Sequence, residues 1–235
     1  MKTLFAHIAA RYDRMNRVMS LALDRRWRRL ALAAATLPPS GAVLDLACGT
    51  GDLTCEILRR CPEARITGVD LTPEMLALAR IKLGAAKGVR FQTGDAQDLA
   101  DFPDGAFGLV TCAFGFRNFP DKAKALAACR RVLATDGELV VLELFRPASR
   151  LLGAIVNVWL AAVARLFAHG ARKEYAYLRC SITGTVSAEE FAMLAETAGF
   201  IPLRRRFLFP AATCMVLRKA PQPPAGGRQA ANGHS

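Results

Sequence analysis

Residues 43–54, VLDLACGTGDLT, decide the fold. An apolar run, VLDL, leads into a turn carrying Gly49 and Gly51, and polar residues then open a helical pattern. A second apolar run, RITGVD, ends at Asp70. Strand, glycine turn, helix and a strand ending in a carboxylate make a βαβ unit with a nucleotide-like ligand at its turn.

The turn also limits the ligand. A dinucleotide loop, G-x-G-x-x-G, presents helix-terminal N–H groups to a pyrophosphate. Here Thr54 takes the place of the third glycine, and Asp52 sits where the helix begins and would repel phosphate. A loop ending in Gly-Lys-Ser/Thr is absent, which excludes the other common phosphate cradle. The pattern favours a phosphate-free ligand with a cationic part, and S-adenosylmethionine fits. Gly49 and Gly51 let the backbone approach such a ligand without a Cβ clash. A tight turn with no ligand is the competing reading; Asp70, at the spacing that reaches a ribose diol, weighs against it.

Outward from this unit, strand-like runs near 42–47, 65–70, 89–93, 107–113 and 138–144 alternate with helical patterns near 52–60, 73–86 and 121–134. That alternation predicts an α/β fold with a doubly wound, mostly parallel sheet. Runs near 205–209 and 213–218, separated by Pro210 and Ala211, suit an antiparallel edge. Residues 4–35 read as a helical cap, with Phe5, Ile8, Ala9, Tyr12, Met15 and Met19 at helical spacing, closed by Pro38, Pro39 and Gly41. The expected organisation is one domain over 1–219, with a cap at 1–37, a lid insertion at 147–190 and a disordered, Pro/Gly/Ala-rich tail at 220–235. In the insertion, Leu152, Ile155, Val156, Trp159, Leu160, Val163, Leu166 and Phe167 form an apolar stripe. It suits core packing or a lid, and alternatively a greasy channel or a membrane-facing surface. Asn157, Arg165 and the short length argue against a span.

Seven scattered cysteines without C-x-x-C spacing point to reduced thiols in a cytosol and to no zinc or redox pair. The start, MKTLFAHIAARYDRMNRVM, is interrupted by charges and does not read as a signal peptide. The localisation expected is cytoplasmic, with peripheral contact on the inner face of a membrane as an extension. The net charge of +12 concentrates in the cap and at Arg204, Arg205 and Arg206. It suits a solvated face or an anionic surface.

Four strand ends should line the crevice at the carboxyl edge of the sheet. They carry Asp45 with the glycine loop; Asp70, followed by Leu71; Gly94, Asp95 and Ala96; and residues 112–118, CAFGFRN. Asp70 suits the ribose hydroxyls and Asp95 the adenine amino group, although each could instead cap the helix that follows. Arg117 and Asn118 fall beside the cofactor, and an ion pair from Arg117 to Asp121 or a helix carboxylate is the alternative. The Asn/Asp-Pro-Pro-aromatic element that packs a flipped base is absent, as is a Pro-Cys dipeptide. No nucleic-acid partner and no metal are expected.

The chain resembles the ubiquinone/menaquinone biosynthesis C-methyltransferase family of class I S-adenosylmethionine-dependent enzymes. The matching pieces are FAHIAARYDRMNRVMSLALDRRWRR at 5–29, VLDLACGTGDLT at 43–54, FGFRNFPDKAKAL at 114–126, RVLATDGELVVLELFRP at 131–147, and YAYLRCSI followed by AGF within 175–200. The resemblance implies methyl transfer to a ring carbon of a prenylated quinol, with cofactor contacts at Thr50, Asp70, Asp95 and Ala96. A further family position, often serine, is Ala113 here. Phe116 stands where leucine or isoleucine is usual, and ITGTVS at 182–187 departs from the family's proline-containing stretch.

Ring methylation from a sulfonium needs alignment, a dry site and an electron-rich carbon. Arg117, always protonated, is expected to stabilise a phenolate, with Asn118 orienting the ring oxygen. The proton is expected to leave through water to Asp13 or another carboxylate. Tyr177 and Phe116 are the candidate ring contacts, and lid packing is the other reading for Tyr177. The expected partner is a lipophilic quinol; a homodimer is a further candidate. Methylation of another lipophilic acceptor, a phenol or a phospholipid amine, is the competing enzymatic reading, and a cofactor-retaining accessory subunit the non-enzymatic one.

Overall fold

A computed structural model describes residues 13, 16–17, 20–38, 41–84, 86–147, 149–167, 172–208 and 212–221. Its strands are β1 (Ala42–Leu46), β2 (Arg65–Asp70), β3 (Val89–Thr93), β4 (Phe107–Ala113), β5 (Leu133–Glu143), β6 (Phe200–Leu208) and β7 (Ala212–Lys219). Its helices are α1 (Leu23–Ala34), α2 (Asp52–Arg60), α3 (Pro73–Leu83), α4 (Lys122–Val132), α5 (Arg150–Phe167), α6 (Arg172–Thr183) and α7 (Ala188–Thr197). All seven strands join one sheet in the order β3-β2-β1-β4-β5-β7-β6. β7 alone runs antiparallel, to both β5 and β6, so the expected doubly wound sheet with an antiparallel edge is present.

The central strands are mostly apolar because both faces are covered. On one face Trp27, Leu32, Ile57, Ile66 and Val140 share a core. On the other Leu44, Val110, Leu126, Phe191 and Met215 do. The helices start where the sequence supplies caps. Pro73 opens α3, Asp121 accepts from the backbone N–H of Lys124 at 2.8 Å, and Ser187 with Glu190 forms a reciprocal capping box on α7.

Three expectations change. The helical cap is not one helix to residue 35, because Leu21 and Ala22 are left-handed, with φ of 52° and 60°, and α1 begins only at Leu23. β5 starts at Leu133 rather than near 138, with a register shift against β4 between Phe107 and Leu109. The stripe on α5 divides: Val156 is buried, but Ile155 is exposed beside Leu151 and Val158. The expected side-chain roles of Leu160, Val163, Leu166 and Phe167, the cap residues 1–12, the Pro210 turn and the tail from 222 lie outside the described residues. Among the described residues no helix is long and apolar enough to cross a membrane.

Candidate active site

The chain leaves β1 toward β2 on one side, while β4 pairs with β1 on the other. The loops at their carboxyl ends therefore diverge and open a crevice. A cavity of about 230 Å³ lies there. Its walls come from the glycine loop (Ala47, Gly49), the end of β2 (Asp70, Leu71), the end of β3 (Asp95, Ala96, Gln97) and the β4 turn (Phe114, Gly115, Asn118). Asp70 and Asp95 are its only carboxylate-bearing lining residues among those described. The chain as a whole carries +12, so this acidic, otherwise apolar cavity runs against the surrounding charge and suits a cation.

Asp70 is fixed by two backbone donors. Gly49 N–H reaches one carboxylate oxygen at 2.9 Å and Thr72 N–H the other at 2.9 Å. Burial pushes its carboxyl above the ordinary range, against those two bonds. An ionised carboxylate has about four acceptor positions, so ribose hydroxyls can still be received. Asp95 is held likewise by Gln97 N–H at 2.9 Å. Neither aspartate is an N-cap of a helix; each closes a short turn with the residue two positions on.

Backbone strain collects at this edge. Ala47 after β1 and Phe114 after β4 are both left-handed, with φ of 49° and 60°, a conformation that non-glycine residues adopt at a cost of order 1–3 kcal/mol. Both line the cavity. Gly115 lets the two turns meet, since a Cβ there would lie 2.7 Å from the Ala47 Cβ and the Cys112 Sγ. At Gly51 φ is +82°, and a Cβ would come within 3.1 Å of the Leu83 side chain, so glycine there lets the loop pack on α3.

The predicted catalytic residues separate. Asn118 lines the cavity, and its side-chain oxygen accepts from the Tyr177 hydroxyl at 2.9 Å. This bond ties α6 to the β4 turn. Arg117 turns elsewhere. Its Nη1 donates to Glu143 at 2.6 Å and to the Phe114 carbonyl at 2.7 Å, and its backbone N–H donates to the other Glu143 oxygen at 2.9 Å. The Arg117 side chain is 7% exposed and that of Glu143 0%. The expectation that Arg117 faces a phenolate is therefore corrected: its charge is met by a buried carboxylate, and its carboxylate partner is Glu143 rather than Asp121. Phe116 is corrected too. It is sealed between Phe119 and Phe191, with ring centroids at 4.9 and 5.1 Å, and belongs to the core.

Asp13 is also not placed as a proton acceptor. Its carboxylate accepts from the Thr50 hydroxyl at 2.5 Å and from Lys82 at 2.9 Å, and Lys82 also pairs with Asp52 at 2.6 Å. Burial pushes Asp13 up, yet the bonds from Thr50 and Lys82 outweigh it and hold the carboxyl below its ordinary value. It anchors the segment before α1 to the glycine loop. Thr50 spends its hydroxyl on that anchor and lines a smaller recess. Asp45, on the same recess, accepts from the hydroxyls of Thr54 and Thr111 at 2.6 and 2.8 Å.

Glu143 is the residue that sequence reasoning missed. The signal was a lone charge in the apolar run LVVLELF, since a buried charge requires a partner. Burial raises the Cys112 thiol well above its ordinary value, which removes it as a nucleophile.

Residues 1–214 match the model of the ubiE/COQ5 methyltransferase family. The chain is 44% identical over 210 residues to the demethylmenaquinone methyltransferase of Deinococcus radiodurans, covering 88% of this chain and 87% of that one. It is 43% identical over 202 residues to the demethylmenaquinone methyltransferase of Thermus thermophilus, covering 84% and 91%. In fold it is similar to a crystallised S-adenosylmethionine-dependent methyltransferase from Aquifex aeolicus, with a TM-score of 0.64 and 16% identity, covering 88% and 98%.

Proposed function

Because the chain belongs to the ubiE/COQ5 methyltransferase family and is an S-adenosylmethionine-dependent methyltransferase acting on a quinone-pathway substrate, we propose that it methylates a ring carbon of a prenylated quinol. Both relatives above are named for demethylmenaquinone, which favours a naphthoquinol ring. The observation that carries the reading is the acidic, apolar-walled cavity with the hydrogen-bonded Asn118–Tyr177 pair at its edge.

S-adenosylmethionine supplies an electrophilic methyl group on a sulfonium. The protein's share is to align the acceptor and keep water out. Asp70 takes the ribose hydroxyls, and Asp95 and Ala96 flank the adenine. The Asn118 amide has donors to offer a ring oxygen, while Tyr177 fixes its orientation. Arg117 and Glu143 hold the turn that carries Asn118, so Arg117 is a positioning residue. A quinone profile of a deletion strain tests the reading: a demethylated menaquinone should accumulate, and an unaltered quinone pool would reject it.

Peripheral membrane contact belongs to the same proposal. Leu151, Ile155 and Val158 on α5 are exposed, as are Arg204, Arg205 and Arg206 on β6, an apolar and a basic element of the kind that meets anionic lipid. Co-sedimentation with anionic vesicles should weaken as salt rises; equal lack of binding at low and high salt would reject this contact.

A further inference from the structure

The edge of the sheet opposite the cofactor cavity carries a second opening. A cleft of about 460 Å³ lies there, with Asp104, Arg130, Arg131, Thr135 and Lys219 among its lining residues. It sits where β4 and β5 begin and the antiparallel β7 ends, with Phe107 paired to Leu133. The length of β4 puts it roughly 20 Å from the Ala113 wall of the cofactor cavity. Leu133 and Glu138 on β5 pair with Phe107 and Leu109 on β4, so the extra residues of β5 form a bulge. Thr135 on that bulge brings a hydroxyl to the cleft.

Three cations meet one carboxylate in this cleft, and they are not equivalent. A helix C-terminus favours positive charge, which accounts for Arg131 in the last turn of α4. Its guanidinium is engaged by the Phe102 and Leu99 carbonyls at 2.8 and 2.6 Å and by Asp104 at 2.6 Å. Arg130 and Lys219 have only carbonyls: Arg130 Nε donates to Gly199 at 3.3 Å and Lys219 Nζ to Leu133 at 2.6 Å. Among the described residues neither forms an ion pair, and the Arg130 Nη nitrogens have no hydrogen-bond partner. Gly199, with φ of +83°, makes the arrangement possible, since a Cβ there would lie 2.5 Å from Arg130 Nε. Loss of surrounding water and then the Arg130 charge push the Lys219 ammonium below its ordinary value, with Asp104 acting the other way. Two like charges are thus held near each other in a cleft whose one carboxylate is already paired.

An anion satisfies both. We propose that this cleft binds a phosphate-bearing anion, with Arg130 donating from its Nη nitrogens, Lys219 supplying a second positive charge and Thr135 a hydroxyl. A tetrahedral dianion has oxygens enough for a planar fork and a point charge together, which is how arginine and lysine divide the recognition of phosphate. The volume is that of a small-molecule site and exceeds what one phosphate fills, so a diphosphate or the phosphate of a larger molecule suits it. The site is independent of the cofactor reading, because none of its lining residues lines the cofactor cavity.

The test titrates inorganic pyrophosphate into the full chain by calorimetry, and measures co-sedimentation with vesicles containing phosphatidic acid beside it. Arg130→Gln and Lys219→Gln should each weaken pyrophosphate binding about 10-fold or more, the scale of one charged hydrogen bond. Arg130→Lys should keep part of the affinity, because a point charge replaces the planar fork. If Lys219→Gln fails to fold because the Leu133 carbonyl loses its partner, Arg130→Gln against Arg130→Lys carries the same comparison. Lys87→Gln is the control: it is exposed on the loop before β3, removes the same unit of charge, and should change the affinity less than about 2-fold. Pyrophosphate binding that depends on Arg130 and Lys219, with vesicle binding unchanged in the variants, assigns the phosphate to a soluble molecule. Vesicle binding that falls in Arg130→Gln and Lys219→Gln but not in Lys87→Gln, with no affinity for pyrophosphate, assigns it to a lipid headgroup. Equal weakening in all three glutamine variants would reduce the effect to the net charge of +12 and overturn the proposal. So would absence of pyrophosphate binding together with vesicle binding that ignores Arg130 and Lys219. Saturating S-adenosylmethionine should leave pyrophosphate bound; its complete displacement would put the anion in the cofactor cavity and overturn the assignment as well.

Discussion

On the β1–β3 side of the cavity, the groups that face a cofactor are held by backbone donors. Asp70 is gripped by the N–H groups of Gly49 and Thr72, and Asp95 by that of Gln97 two residues on. On the β4 side the turn and its amide are held by side chains far along the chain: Arg117 by Glu143, 26 positions away, and Asn118 by Tyr177, 59 positions away. A carboxylate held by backbone keeps its place as long as the sheet register holds. An amide held by a tyrosine on α6 depends on a second element docking correctly. On the proposed reading, the cofactor side is thus preorganised by the fold, and the acceptor side is assembled by tertiary contacts.

The largest test of that difference is to break the buried pair. Glu143→Leu leaves the Arg117 guanidinium without its carboxylate in a side chain only 7% exposed. Unfolding in denaturant should show a loss of about 3–5 kcal/mol, the usual penalty for an uncompensated buried charge. The double variant Arg117→Met/Glu143→Leu should recover most of it, since neither charge then remains. In that double variant S-adenosylmethionine affinity should persist while turnover falls, because Asp70 and Asp95 do not depend on the pair. Equal losses of affinity and turnover would erase the distinction between the two sides.

The cofactor side answers to a smaller change. Asp70→Ala removes the acceptor for the ribose and releases Gly49 and Thr72 N–H. Cofactor affinity, measured by calorimetry, should drop by about 1–3 kcal/mol. The Asn118–Tyr177 bond should survive, and its survival can be followed through the tyrosine's hydrogen-bonded signal. Unchanged affinity in a folded variant would reject the ribose assignment.

The same difference explains what the sequence disclosed. The alternation of apolar runs and helical patterns located β1 to β4 and the antiparallel edge, because strand burial on both faces writes continuous apolar runs. Asp70 was legible for the same reason, since it ends such a run, whereas Asp95 follows the alternating strand VRFQT and its glycine. Each has a local backbone partner, Thr72 and Gln97, two positions on. Arg117 was located but its orientation was not, because Glu143 lies at the end of β5 and meets it only once β4 and β5 pair. Phe116 looked like a ring contact by its place beside Arg117. Only the packing of α7, which brings Phe191 to it, shows that it is core. Arg28 is one of four arginines in RRWRR at 25–29; nothing local distinguishes the member whose helical position turns it onto Asp24 and Phe114. The break at Leu21 and Ala22 left no glycine or proline to mark it.

The smallest effect concerns the strap that ties Asp13 to Thr50 on the glycine loop and to Lys82 on α3. Its side chains are about one third exposed, 29% for both Asp13 and Lys82, so the ion pair is worth less than about 1 kcal/mol. The direction with pH is nevertheless defined. The Asp13 carboxyl is held below its ordinary value of 3.8 by Thr50 and Lys82 in spite of burial. A native carboxylate with a lowered pKa contributes stability above its unfolded value and loses it as pH falls through the native one. Asp13→Asn should therefore be slightly less stable than the parent at neutral pH, and the gap should close in acid below about 4. Denaturation of both proteins across that range gives the comparison. Amide exchange at Gly51 and Thr54 gives a second readout, since a released strap should speed exchange on the loop while leaving the Arg117–Glu143 side unaffected. If the gap instead widened in acid, Asp13 would be binding its proton more tightly in the folded chain than in the unfolded one. The strap would then be a desolvated acid and not an ion pair, and Asp13 would return as a candidate to take up the acceptor's proton.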